Sequence, residues 1–372
     1  MAGFSSKLTK FWRRLSRTSK LLLGAGVLLI VIVVVNAVWQ ANKNENATNK
    51  NVVAPADVCE QNNDINFSCY KTQLTNITKD SGPEYAFALL KEQYPKVNYV
   101  KSQCHQLVHV IGRAAYAKYK DIGDTFSHGD QFCWAGYYHG MMEQVATEQG
   151  TDNFLASLND VCEEIADKAR YSFDHYNCVH GIGHGVMEAL DGELFQALTA
   201  CDKVIDGYGR ASCYGGVFMQ NIMFAQSPDQ EVNYTLKYLK NDDPMYPCTA
   251  VDDKYKQQCY LMQTSHALQV RSYDFKVVFG LCDETAEPHR STCYQSLGRD
   301  ASGQSISDVE QTKAKCLLGK DFDAQSNCII GAAKDFVSYF HSDVQAKKLC
   351  DSLETSLASM CHSIVRSYYT AF

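Results

Sequence analysis

Seven of the 11 histidines lie between residues 105 and 184, and five of them fall into three short segments with a common spacing. The first is Cys104-His105-Gln106-Leu107-Val108-His109, an H-x-x-x-H. The second, Tyr138-His139-Gly140-Met141-Met142-Glu143, is an H-x-x-x-E. In the third, residues 180–188, His180, His184 and Glu188 recur every four residues. On an α-helix, positions i and i+4 share a face one turn apart, so each segment presents a short stripe of ligand-type side chains. Imidazole with carboxylate suits Zn, Fe, Cu or Mn, and such pairs on neighbouring helices are how helical bundles build metal centres. The expected metal ligands are therefore His105, His109, His139, Glu143, His180, His184 and Glu188, around a divalent transition metal such as Zn, Fe or Cu. Glu143 or Glu188 would serve as a ligand or as a general base acting on metal-bound water.

Two other observations bear on that reading. Gly136, Gly140, Gly181, Gly183 and Gly185 fall within the same expected helices, where each costs about 1 kcal/mol relative to Ala. Close helix approach or ligand access to the backbone would offset the cost. A competing reading makes the histidines part of a buried hydrogen-bonded network that fixes helix packing, with Tyr137, Tyr138, Tyr171 and Tyr176 as partners. His128 and His175 sit in expected loops, and His266 is one position out of register. Other chemistry is missing: there is no G-x-x-x-x-G-K-[ST], H-E-x-x-H, G-x-S-x-G or C-x-x-C-H. The glycines of 181–185 follow nothing that reads as a strand, which excludes a dinucleotide fingerprint.

The elements that must carry these residues are marked by cysteine. All 16 Cys lie at or beyond residue 59 and fall into successive pairs: 59/69, 104/133, 162/178, 201/213, 248/259, 282/293, 316/328 and 350/361. From Cys248 the first member recurs at 282, 316 and 350, a period of 34 residues, and such a period is the sign of a repeat array. Amphipathic segments ending in Cys (GELFQALTAC, YDFKVVFGLC) alternate with segments beginning in Cys and an aromatic residue (Cys133-Trp134, Cys213-Tyr214, Cys259-Tyr260, Cys293-Tyr294). Apolar residues at 3–4 spacing make both types helices. Each unit is then a helical hairpin with one Cys closing the first helix and one opening the second, stapled by a disulfide. No C-x-x-C occurs, so zinc binding by these thiols is disfavoured. The expected fold is all-α: disulfide-stapled helical-hairpin repeats forming an α-solenoid or a compact α/α array. In architecture this is similar to stapled hairpin arrays such as the secreted Sel1-like repeat proteins, from which no residue role carries over.

Counted from their opening Cys, His139 and His184 occupy the same position, as do Glu143 and Glu188. Stacked repeats point equivalent positions in one direction. The same positions of later repeats hold Met219 and Met223, Arg299 and Gly303, or Lys334 and Ser338. A purely architectural stripe would recur along the whole array.

Residues 21–39, LLLGAGVLLIVIVVVNAVW, carry no charge and would span about 28 Å as a helix, enough for a bilayer core. Residues 1–20 carry six basic residues and no acid, so the positive-inside rule leaves them cytoplasmic. Residues 40–57 read as a flexible Asn-rich linker, and 58–372 as an extracytoplasmic disulfide-rich helical domain, His-rich over 104–188. The formal net charge of −7, and −13 beyond residue 20, argues against nucleic acid as a partner. The partner expected from the anchor is the membrane. Two functions follow: an anchored extracytoplasmic metalloprotein or metalloenzyme whose substrate no motif names, or a scaffold that binds protein or peptide on its concave repeat face.

Overall fold

A computed structural model describes residues 54–369 apart from 62–64, 166–171, 227–236 and 306–307. The expected cytoplasmic segment and the expected membrane helix lie outside these residues. Among the described residues no helix is long and apolar enough to cross a membrane. They form helices and no strand. The segment read as a linker ends in a helix, Pro55–Gln61. Proline at its start supplies a helical φ without losing a needed donor, and a disulfide from Cys59 to Cys69 ties it to the helix that follows.

Nine helices of 14 to 22 residues form the spine: α1 Phe67–Ser81, α2 Asn98–Tyr119, α3 Gly136–Gln149, α4 Phe173–Ala189, α5 Gly207–Gln226, α6 Asp253–Val270, α7 Arg290–Gln304, α8 Phe322–Phe340 and α9 Thr355–Tyr369. Each packs on the next in chain order, and the shorter helices lie against them. Side-chain caps start several of them. Ser172 accepts from the His175 N–H at the head of α4, and Asp321 accepts from Ala324 N–H at the head of α8, each satisfying a donor that the helix leaves free.

All eight disulfides join the cysteine pairs read from the sequence, with Cα–Cα separations of 5.3 to 6.0 Å. Among the described residues no cysteine is free. Eight disulfides suggest an oxidising, extracytoplasmic location. One detail differs from expectation. The second cysteine does not open its helix: Cys213, Cys259, Cys328 and Cys361 each stand seventh in α5, α6, α8 and α9. The polar turns before them (DAQSN, GYGRAS) carry no apolar period and so read as loop, yet they are helical. The short helix ends against the flank of the long one, and the staple joins an end to a side.

The array also closes on itself. Trp134, just before α3, donates its indole N–H to Asp335 of α8 at 3.3 Å and packs on Tyr339. Phe173 of α4 meets His341 beyond α8. These contacts tie the segment before α3 and the start of α4 to α8.

Glycine sets how closely the spine helices approach. A Cβ at Gly112 would overlap the Tyr137 carbonyl, and one at Gly140 the His109 carbonyl; Gly183 and Gly216 pair the same way against the Cys213 and His180 carbonyls. Gly298 and Gly331 repeat the device against Cys328 and Gln295, where no histidine stripe exists. Of the two roles open to these glycines, close helix approach is the one observed for Gly140 and Gly183. We expect Gly216→Ala to destabilise the protein by roughly 1–3 kcal/mol or more, because neither backbone can withdraw. Gly280 lies in a helix with nothing within 4 Å of its added Cβ, so Gly280→Ala should stabilise by about 1 kcal/mol. Denaturant midpoints of the two variants check both signs, and equal effects would refute the close-approach account.

Candidate metal centre

The glycine crossings bring α2, α3 and α4 close enough for their stripes to merge. His139 and His184, equivalent in the repeat, stack with ring centroids 4.4 Å apart and planes 13° from parallel. The rings of His105, His109 and His180 also pack on His139, with centroids 5.3, 5.4 and 4.9 Å away. His184 is 0 % exposed, His180 and Glu143 1 %, His139 2 % and His109 5 %.

Three overlapping groups each place their ligand atoms within 4.8 Å of one another and could hold a metal ion: His105/His109/His139, His139/His180/His184 and His109/Glu143/His184. His139 belongs to two of them. Six of the seven residues expected from the sequence are thus brought together. Glu188 is the exception, since none of the groups includes it.

The surroundings decide which ring nitrogen carries the proton. His105 Nδ1 lies 2.8 Å from the Cys133 carbonyl, which only accepts, so Nδ1 is the donor. Residues 133 to 135 hold φ of 55° to 56°, a left-handed turn uncommon for side-chain-bearing residues, and Cys133 presents that carbonyl from it. His109 Nδ1 lies 3.1 Å from Glu143 Oε1. Burial would raise the Glu143 pKa, but Arg113 and His109 outweigh it and hold this carboxyl well below its ordinary range. It too only accepts. His184 Nδ1 donates to Gln220 Oε1 of α5 at 2.5 Å. In each neutral ring Nε2 is therefore left as a bare lone pair.

Two of those lone pairs face one another. His105 Nε2 and His109 Nε2 are 3.2 Å apart, close to the roughly 3.3 Å separating two nitrogens on one tetrahedral ion at 2.0–2.1 Å. Burial, and next the neighbouring His109, push His105 down to about 3. His139 Nδ1 and His184 Nε2 are buried without a hydrogen-bond partner. Each such group costs on the order of 1–3 kcal/mol unless something binds it.

Arg113 and Gln220 have no place in the sequence motifs, yet both order the site. Arg113 Nε donates to Glu143 at 2.7 Å while its Nη2 donates to Glu188 at 3.1 Å. The two carboxylates equivalent in the repeat are thus joined through one guanidinium, and Glu188 faces that cation. Only a bidentate planar donor spans them. His266, the out-of-register histidine, sits against the Lys240 carbonyl at 3.2 Å on α6. Tyr137 donates to the Thr125 carbonyl at 2.7 Å, while Tyr176 stacks on His180.

Burial also lowers His139 and His184 well below 6.5, and His180 to about 4. The unfolded chain then binds protons that the folded, metal-free chain refuses. These histidines contribute stability above about 6.5 that drains away as pH falls through the folded values. Asp335 works in the opposite sense, because burial raises it to about 6; its contribution is present below its unfolded value and is lost as pH rises through 6. Four histidines outweigh one carboxyl, so the thermal midpoint of metal-free protein should fall steadily from pH 6.5 to pH 4. A flat profile there would show that these rings are not held neutral.

No protein-family model, curated protein or solved structure matches the chain.

Proposed function

We propose that the protein is an extracytoplasmic transition-metal protein, held at the membrane by residues 21–39. Its ion lies among His105, His109, His139, His180 and His184. The observation that carries this reading is the pair of facing Nε2 atoms of His105 and His109, 3.2 Å apart, with each ring's Nδ1 turned to an acceptor. Two acceptors repel at that distance, and a cation between them turns the repulsion into coordination.

Glu143 and Glu188 stand one layer further out in this reading. Glu143 accepts the Nδ1 proton of His109, which fixes the tautomer and strengthens the donor, and Arg113 holds the carboxylate in place. An all-imidazole set suits Zn or Cu. One divalent ion beside two carboxylates and one guanidinium leaves roughly one net positive charge, a tolerable burden for a buried site. When bound, the ion would supply Lewis-acid or redox chemistry. The chain itself keeps water from the donors and their protons on the outward nitrogens.

Elemental analysis of the purified chain tests the proposal. The expected result is about one Zn or Cu per chain, retained on dialysis at pH 7 and released only in stronger acid, as the rings protonate. Protein that is metal-free as isolated, and takes up neither ion when offered it, would overturn the reading.

A further inference from the structure

Beside the histidine cluster, the first turns of α5 and α6 border an open cavity of about 590 Å³, a size ordinary for a small-molecule site. Its charged residues are Asp202, Arg210 and Lys254, and they are not equivalent. Asp202 is spent: its Oδ1 accepts from the Tyr214 hydroxyl at 2.6 Å, and its Oδ2 accepts from Lys254 Nζ at 2.7 Å and the Tyr255 hydroxyl at 2.8 Å. Lys254 neutralises it, so neither has charge to offer a ligand. The Arg210 guanidinium has no hydrogen-bond or ion-pair partner among the described residues, although it is only half-exposed. In a chain that sums to −13 beyond residue 20, an unanswered arginine in a cavity stands out. The amides of Gln257 and Gln258 line the same cavity.

We infer that this cavity binds a small organic oxyanion, a carboxylate or a phosphate. Arg210 takes it through two parallel N–H···O bonds, a geometry that matches either group. Gln257 and Gln258 supply further N–H donors and carbonyl acceptors for the rest of the molecule. Gln258 also borders the histidine cluster, because a Cβ added at Gly215 would lie 3.4 Å from both Gln258 Oε1 and His180 Nδ1. Binding itself belongs to the cavity and needs no metal.

Isothermal titration of the purified full chain tests this, with hippurate as a carboxylate, phenyl phosphate as a phosphate and neutral hippuramide as the uncharged control. Each is titrated before and after chelation. At least one oxyanion should bind and the amide should not. Arg210→Gln should weaken binding about tenfold or more, with Arg210→Lys between the two because it keeps the charge and loses the fork. Binding should survive chelation, and a chain that carries no metal would still answer the question. The inference is overturned if neither oxyanion binds, if the amide binds equally, if Arg210→Gln changes nothing, or if chelation abolishes binding, which would place the anion on an ion instead of in the cavity.

Discussion

Replacing His139 should abolish the proposed metal binding. From about one ion per chain, His139→Leu should fall to less than about a tenth of that, because the ring belongs to both all-histidine triads. A lost ligand costs more than the 10–100-fold typical of the groups that orient ligands. The same substitution should raise the thermal midpoint of the metal-free chain. His139 Nδ1 is buried with nothing to bond, and leucine of similar volume fills the place without that burden. This opposite pair of effects separates the metal reading from a purely structural histidine network, in which losing His139 lowers stability and no metal is involved. Metal analysis and a thermal scan of metal-free protein read both. Should His139→Leu not fold, Gln220→Met offers a second route. It removes the acceptor that orients His184, leaves the ligands intact, and should weaken metal affinity by about 10–100-fold. Unchanged metal content in both variants would end the proposal.

Reduction should unfold the protein outright. Seven of the eight disulfides close loops of 10 to 16 residues and Cys104–Cys133 closes one of 29. In the chain-entropy model each contributes about 3 kcal/mol. The staples lie in separate repeats, so their contributions nearly add. Together they exceed the 5–15 kcal/mol by which domains are normally stable. Under reductant and mild denaturant the helical circular dichroism should collapse, the sixteen thiols should become reactive, and bound metal should be released. A reduced chain that melts cooperatively at the oxidised midpoint would show that helix packing carries the fold and the staples do not.

The cysteine arithmetic was readable because its information is local. A pair 10 to 16 residues apart spans one hairpin turn, and repetition of that spacing names the unit without any knowledge of its neighbours. The histidine register was readable for the same reason: His139 and His184 stand six residues beyond their cysteines, and equal positions in stacked units meet. Where each long helix begins was not readable. The turns ahead of Cys213 and Cys328 are polar, and only packing of the short helix on their flank makes them worth forming.

Glu188 shows where register stops being informative. Its position matches that of Glu143, yet Arg113 from another helix joins both carboxylates, and only Glu143 lies against the histidine nitrogens. Arg113 and Gln220 belong to no motif, since their roles depend on the distance between helices. Glycine decides that distance, and it could not be assigned a role from composition. A helical glycine signals a cost, and only the carbonyl of the facing helix explains it. Residue type and spacing by themselves determined the helical repeat, its staples and the side of each helix that bears histidine, because these follow from periodicity within one segment. Tertiary structure alone decided the proton positions and the facing lone pairs, because those depend on which backbone and side-chain acceptors neighbouring helices bring within hydrogen-bond reach.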